Sequence, residues 1–114
     1  MDFEHMCPLY EKAVEILGKR WTGLILRALM DSPRRFTQIR AYVEGLSDRL
    51  LSERLQELEA EGIVERRVHT GRPVQVEYAL TKKGAALRPV LDAIQSWADR
   101  WVTAEKVMPS TTER

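Results

Sequence analysis

In "SDRLLSERLQEL", residues 47–58, the leucines at 51, 55 and 58 fall at i, i+4 and i+7, the spacing of one buried stripe on a helix. Arg49, Ser52, Glu53 and Gln56 keep the same spacing on the opposite side. Ser47 is placed to cap the helix, Asp48 to meet the positive end of its dipole, and Gly62 to stop it. Most exposed helix faces are simply wet, so this polar row acquires meaning only from what surrounds it.

Upstream, "CPLYEKAVEILG" predicts a helix from Pro8 to about Gly18, with Cys7 at its N-cap. "WTGLILRALM", residues 21–30, is apolar nearly all round and predicts a central core helix, broken at "DSPRR". A short helix over Thr37 to Val43 and a turn through Glu44, Gly45 and Leu46 lead into the opening stretch, a helix-turn-helix pattern. Downstream, "IVERRV" and "VQVEYAL" predict two strands, with Val74, Val76, Tyr78 and Leu80 on one face and "HTGRP" as the hairpin tip. Thr81 caps a last helix over Lys82 to Glu105, bent by Pro89, that carries Leu87, Val90, Leu91, Ile94, Trp97, Ala98, Trp101 and Val102.

A chain of 114 residues, 44% hydrophobic and 31% charged, fits one globular domain, over residues 1–108, with a frayed tail over 109–114. Apolar runs such as Leu24 to Leu26 are far too short to cross a bilayer. The start, "MDFEHMCPLY", has no cationic segment leading an apolar one, which points away from secretion and toward the cytoplasm. The single cysteine, Cys7, agrees with a reducing compartment, and any disulfide it makes has to join two chains.

The net charge of +1 conceals an uneven distribution. Residues 1–18 carry four acids against Lys12, a net −3, whereas residues 19–40 carry six Lys or Arg against Asp31, a net +5. Residues 65–83 hold five Lys or Arg against Glu65 and Glu77, a net +3. Scattered basic surface is common, so these two basic blocks alone favour a polyanion partner only modestly.

Helix, helix, helix-turn-helix, β-hairpin, helix is the order of a mainly α fold with a small β-hairpin, the winged helix-turn-helix. Such a fold sets its second helix-turn-helix element in the major groove and its hairpin along the backbone or in the minor groove. On that reading Ser47, Arg49, Ser52, Glu53 and Gln56 face the bases, since Arg bonds guanine, Gln adenine, and Glu accepts from cytosine. Arg34, Arg35, Thr37, Arg40 and, at the hairpin tip, Arg72 are the phosphate and wing candidates. Trp97 and Trp101, spaced i, i+4, belong with Leu9, Leu91 and Ile94 to an expected dimer interface, because aromatic residues are enriched where chains meet.

"CPLYEKAVEILGKRWTGLILRAL", "RRFTQIRAYVEGLSDRLLSERLQELEAEGIVERR" and "VEYALTKKG" resemble the HxlR-type winged helix-turn-helix transcriptional regulators, relatives of the MarR group. The likeness runs from about Cys7 to Trp101, and departs in Leu46 before Ser47, where the family usually has isoleucine, and in the short hairpin tip. It implies a homodimeric, sequence-specific DNA-binding repressor or activator on a palindromic operator, joined through its first and last helices. It also implies that Cys7 senses oxidants or small electrophiles, by intersubunit disulfide or alkylation, with no cofactor.

Two other classes compete. An enzyme finds little support: His5 and His69 are the only histidines, and no paired-carboxylate, phosphate-loop or zinc-ligand spacing occurs, so no catalytic residue and no metal site is expected. A winged helix that binds protein would keep the fold without a base-reading face, and its binding would lack steep salt dependence.

Overall fold

A computed structural model of the chain describes residues 6–103. His5, Glu105, the boundary at 108 and the tail 109–114 lie outside the described residues.

The first helix, α1, spans Pro8–Leu17, with Pro8 in its first turn, where a missing N–H costs nothing. It has no buried residue; only Ile16 and Leu17, at its far end, lean on the core. Trp21 then adopts φ +80°, a strained backbone for a bulky side chain, with the Arg20 guanidinium 4.7 Å above its ring. The central helix α2, Thr22–Met30, buries Ile25, Leu26, Ala28, Leu29 and Met30. Two arginines from elsewhere meet its last carbonyls: Arg34 Nε donates to Ala28, and Arg88 Nη2 to Met30 at 2.8 Å.

A short strand, β1 (Arg34–Arg35), opens α3 (Phe36–Tyr42); a turn with Gly45 at φ +85° leads to α4, Asp48–Ala60. Ser47 Oγ accepts from Leu50 N at 3.1 Å, the expected cap. At the other end Gly62 (φ +73°) donates to Glu59 O and Ile63 to Leu58 O, both at 2.9 Å, while the Ile63 and Leu58 side chains are buried. This Schellman closure explains why a glycine ends the helix there.

Strands β2 (Val64–His69) and β3 (Gln75–Leu80) form the hairpin, in register Val64↔Leu80 through His69↔Gln75. The sheet has three strands, not two, in the order β1-β3-β2, with Arg34 opposite Tyr78 and Arg35 opposite Glu77. Of the expected apolar face, Tyr78 and Leu80 pack on the core, but Val74 precedes the strand and is exposed, because the hairpin runs out beyond the body.

The last helix differs most from expectation. It is two helices, α5 (Lys82–Ala85) and α6 (Arg88–Trp101), not one helix bent at Pro89. Pro89 cannot donate to the carbonyl four residues back, so it stands in the first turn of a new helix while Leu87 N closes α5 on Gly84 O. Thr81 caps α5 as expected: its hydroxyl accepts from Gly84 N at 3.1 Å and donates to Gly62 O at 2.6 Å. Gly84 is required by close approach, since a Cβ there would stand 2.2 Å from Ile63 O. No helix of the described residues is long and apolar enough to cross a membrane.

Candidate nucleic-acid interface

The leucine stripe of α4 fixes what its other side presents. Leu51, Leu55 and Leu58 are buried in the core, so Arg49 and Gln56 point to solvent and Ser52 and Glu53 flank them half-exposed. Arg49, with 86% of its side chain exposed, has Glu53 Oε1 at 3.7 Å as its one charged partner among the described residues. That is a loose i, i+4 pair, which leaves the guanidinium fork able to take another acceptor. Ser47 is exposed as well; its oxygen accepts the cap bond, and its hydroxyl proton remains to be donated.

The phosphate candidates separate into two groups. Arg35 and Thr37, at the start of α3, are exposed; the Arg35 backbone N–H goes to the Gln38 side chain at 2.8 Å, and its guanidinium has no partner among the described residues. Arg72 is exposed at the hairpin tip. Arg34 is instead drawn inward, Nε on the Ala28 carbonyl and guanidinium 4.9 Å above the Tyr42 ring. Arg40 is paired with Asp48 at the start of α4, which ties the two helices of the helix-turn-helix together. These two arginines brace the motif that the others present.

Residue type alone missed three further basic side chains. Arg66 is exposed on β2, opposite Tyr78. Arg88 braces α2, and Arg54, only 16% exposed, donates Nε to the Arg20 carbonyl at 2.9 Å. The available signal for Arg54 was its place beside the leucine stripe, at the edge of the core.

Cys7 is half-buried at the N-cap of α1, and its side chain makes no capping bond. Among the described residues no group of three or more His, Cys, Asp or Glu is placed to hold a metal ion. On the expected dimer face, Leu9, Ile94, Trp97 and Trp101 are exposed, the two tryptophans by 62% each. Leu91 is not part of that face: it is 7% exposed and packs in the chain's own core. The cause is the lean of α6 on α2, where Arg27 meets Asp92 at 3.0 Å and Arg88 meets Met30 O, turning the 88, 91, 92 side inward.

Residues 16–106 match the HxlR-like helix-turn-helix family. The chain is 51% identical over 102 residues to the HTH-type transcriptional regulator YvaP of Bacillus subtilis, covering 90% of this chain and 94% of the relative. It is 50% identical over 96 residues to the HTH-type transcriptional regulator YodB of the same organism, covering 84% and 86%. The solved structure of reduced YodB superposes with a TM-score of 0.78, at 49% identity over 86% of this chain and 96% of that one. The diamide-treated and quinone-bound structures of YodB give 0.73 and 0.74, at 49% and 48% identity over 86% and 84% of this chain and 97% and 100% of those. The redox regulator HypR in its oxidised form superposes at 0.79, with 33% identity over 86% of this chain and 100% of that one.

Proposed function

Because the chain belongs to the HxlR-like helix-turn-helix family and is a transcriptional regulator of that type, we propose that it binds a palindromic DNA operator as a homodimer, with α4 in the major groove. The observation that carries this is the division of α4, with three leucines buried and Arg49, Gln56 and Ser47 left facing outward. Arg49 and Gln56 read base edges, Ser52 and Glu53 complete the row, and Arg35, Thr37, Arg66 and Arg72 neutralise phosphates. Arg34 and Arg40 serve this indirectly, by holding α3 and α4 in place.

The dimer face comprises α1 and α6, where Leu9, Ile94, Trp97 and Trp101 stand exposed in the single chain. Two-fold symmetry then sets the paired α4 helices about 34 Å apart, one turn of DNA. Cys7 is the regulatory thiol. Support comes from the relatives, since YodB has been solved reduced, diamide-treated and quinone-bound, and HypR oxidised. Two Cys7 thiols, one per protomer, would form a disulfide while an oxidant such as diamide accepts two electrons and two protons. A quinone would instead add to the thiolate and leave a thioether on one protomer.

The test is binding to the duplex upstream of the chain's own gene, against a scrambled duplex, at two salt concentrations. Preference for the native duplex with affinity falling steeply in salt is the expected result. Binding to neither, together with capture of a protein partner, would replace this reading with a protein-binding winged helix. Cys7→Ser should abolish the response to diamide; an unchanged response removes Cys7 from the mechanism.

A further inference from the structure

With no buried residue, α1 is held to the body by the packing of Ile16 and Leu17 and by polar links. Those links, with the ones from the turn after α1, converge on a single stripe of α4. Lys12 Nζ is 3.1 Å from Glu61, and Lys19 Nζ is 3.0 Å from Glu57. Arg54 donates to the Arg20 carbonyl at 2.9 Å and lies 3.5 Å from Glu57. The hydrogen bond and charge of Glu61, helped by Glu15, raise the pKa of the Lys12 ammonium above its ordinary value. Exposed ion pairs contribute little to stability one at a time, but three links at 54, 57 and 61 share one line along the helix.

That line has a definite relation to the outward row. At about 100° per residue, positions 54, 57 and 61 lie roughly 80–160° around the axis from Arg49 and Gln56, about 120° on average. A pull along this stripe therefore acts off-axis and rolls α4. A roll of about 10° carries a side-chain tip about 5–6 Å from the axis through about 1 Å. Such a displacement takes a base contact out of the roughly 2.7–3.2 Å window in which it bonds.

We propose that Lys12 and Lys19 are positioning residues which, through Glu61 and Glu57, couple the placement of α1 to the roll of α4, with Arg54 bracing Glu57 from within α4. A change at Cys7, the residue from which α1 starts, then reaches the DNA-reading side chains along this ladder. The inference rests on the reading of α4 as the DNA-contacting helix and of Cys7 as the regulatory thiol.

Glu57→Ala/Glu61→Ala cuts both lysine links, keeps the Arg54 bond to the Arg20 carbonyl and leaves the outward row intact; removing acids from the negative end of a helix dipole also favours its folding. The experiment alkylates Cys7 with N-ethylmaleimide and follows backbone amide NMR shifts of Arg49 to Gln56, together with affinity for the upstream duplex. In the wild type the α4 amides should move and affinity should change by about tenfold, an ordinary size for coupling between two sites. In the variant the shifts should stop at α1 and the affinity change should fall below about twofold. Lys12→Ala/Lys19→Ala, which cuts the same pairs from the other side, should behave alike. Alkylation that shifts α4 equally in the variants, or leaves α4 unmoved in the wild type, overturns the proposal. Amide shifts that need the ladder while duplex affinity stays constant uphold the coupling and overturn the DNA reading instead.

Discussion

α4 and α6 are almost equal in length, 13 and 14 residues, and carry the same apolar spacing. Leu51, Leu55 and Leu58 step by four and three; Val90, Ile94, Trp97 and Trp101 step by four, three and four. Their fates are opposite. The α4 stripe is at most 2% exposed, closed over by the rest of the chain, whereas every member of the α6 stripe is exposed. Helical periodicity states which face needs burial and leaves open what covers it. For α4 the cover is intramolecular, which frees its polar side for a ligand. For α6 the described residues supply no cover, and the second copy proposed above, presenting the same face, would be self-complementary.

This contrast is broken most directly at its buried end. Leu55→Ala should destabilise the fold by about 2–5 kcal/mol, since it removes a side chain from a site the surrounding core cannot refill. Urea unfolding measures it, and a loss below about 1 kcal/mol would mean the stripe is not closed over as described. Trp97→Ala/Trp101→Ala is the counterpart on α6. It should raise the dimer dissociation constant by at least about 30-fold, the scale of an interface hot spot, while the circular dichroism of the chain stays helical. Sedimentation equilibrium reads the result, and a wild type that is already monomeric at micromolar concentration would end the comparison. On the polar side of α4, Arg49→Ala should weaken duplex binding by about 1–3 kcal/mol with unfolding unchanged. A titration showing equal affinity would remove Arg49 from the reading row.

The two helices also show how far residue pattern reaches. α4 was readable in full because its signals agree: a serine cap, leucines in phase and a glycine whose positive φ closes the helix. β1 was not, because two residues carry no period; only its pairing with Tyr78 and Glu77 makes it a strand. The break after Ala85 was hidden for the opposite reason, since Leu87, Leu91 and Ile94 continue the helical phase through it. Leu91 and Ile94 look equivalent in sequence, and the lean of α6 on α2 alone assigns one to the core and the other to the surface. The arginines were least readable. Their roles depend on which carbonyl or carboxylate lies within reach, and that is set by tertiary contacts such as Arg34 on Ala28 and Arg54 on Arg20.

Adjacent Arg34 and Arg35 offer the smallest and most discriminating version of the comparison, because one faces inward and its neighbour outward. Arg35→Ala should reduce the salt slope of duplex binding by about 1, weaken native and scrambled duplexes alike, and leave stability within about 0.5 kcal/mol. Arg34→Ala should do the reverse. It removes the bond to the Ala28 carbonyl and the stacking on Tyr42, at a cost of about 1–2 kcal/mol, and leaves the salt slope near the wild-type value. The distinction is physical, since a guanidinium already satisfied by a carbonyl and a ring gains little from a phosphate, whereas a solvated one displaces a condensed counterion from the DNA when it binds. A salt slope reduced equally in both variants would place both side chains on the DNA and make the inward contacts of Arg34 exchangeable, whereas a wild-type slope in both would take Arg35 off the phosphates.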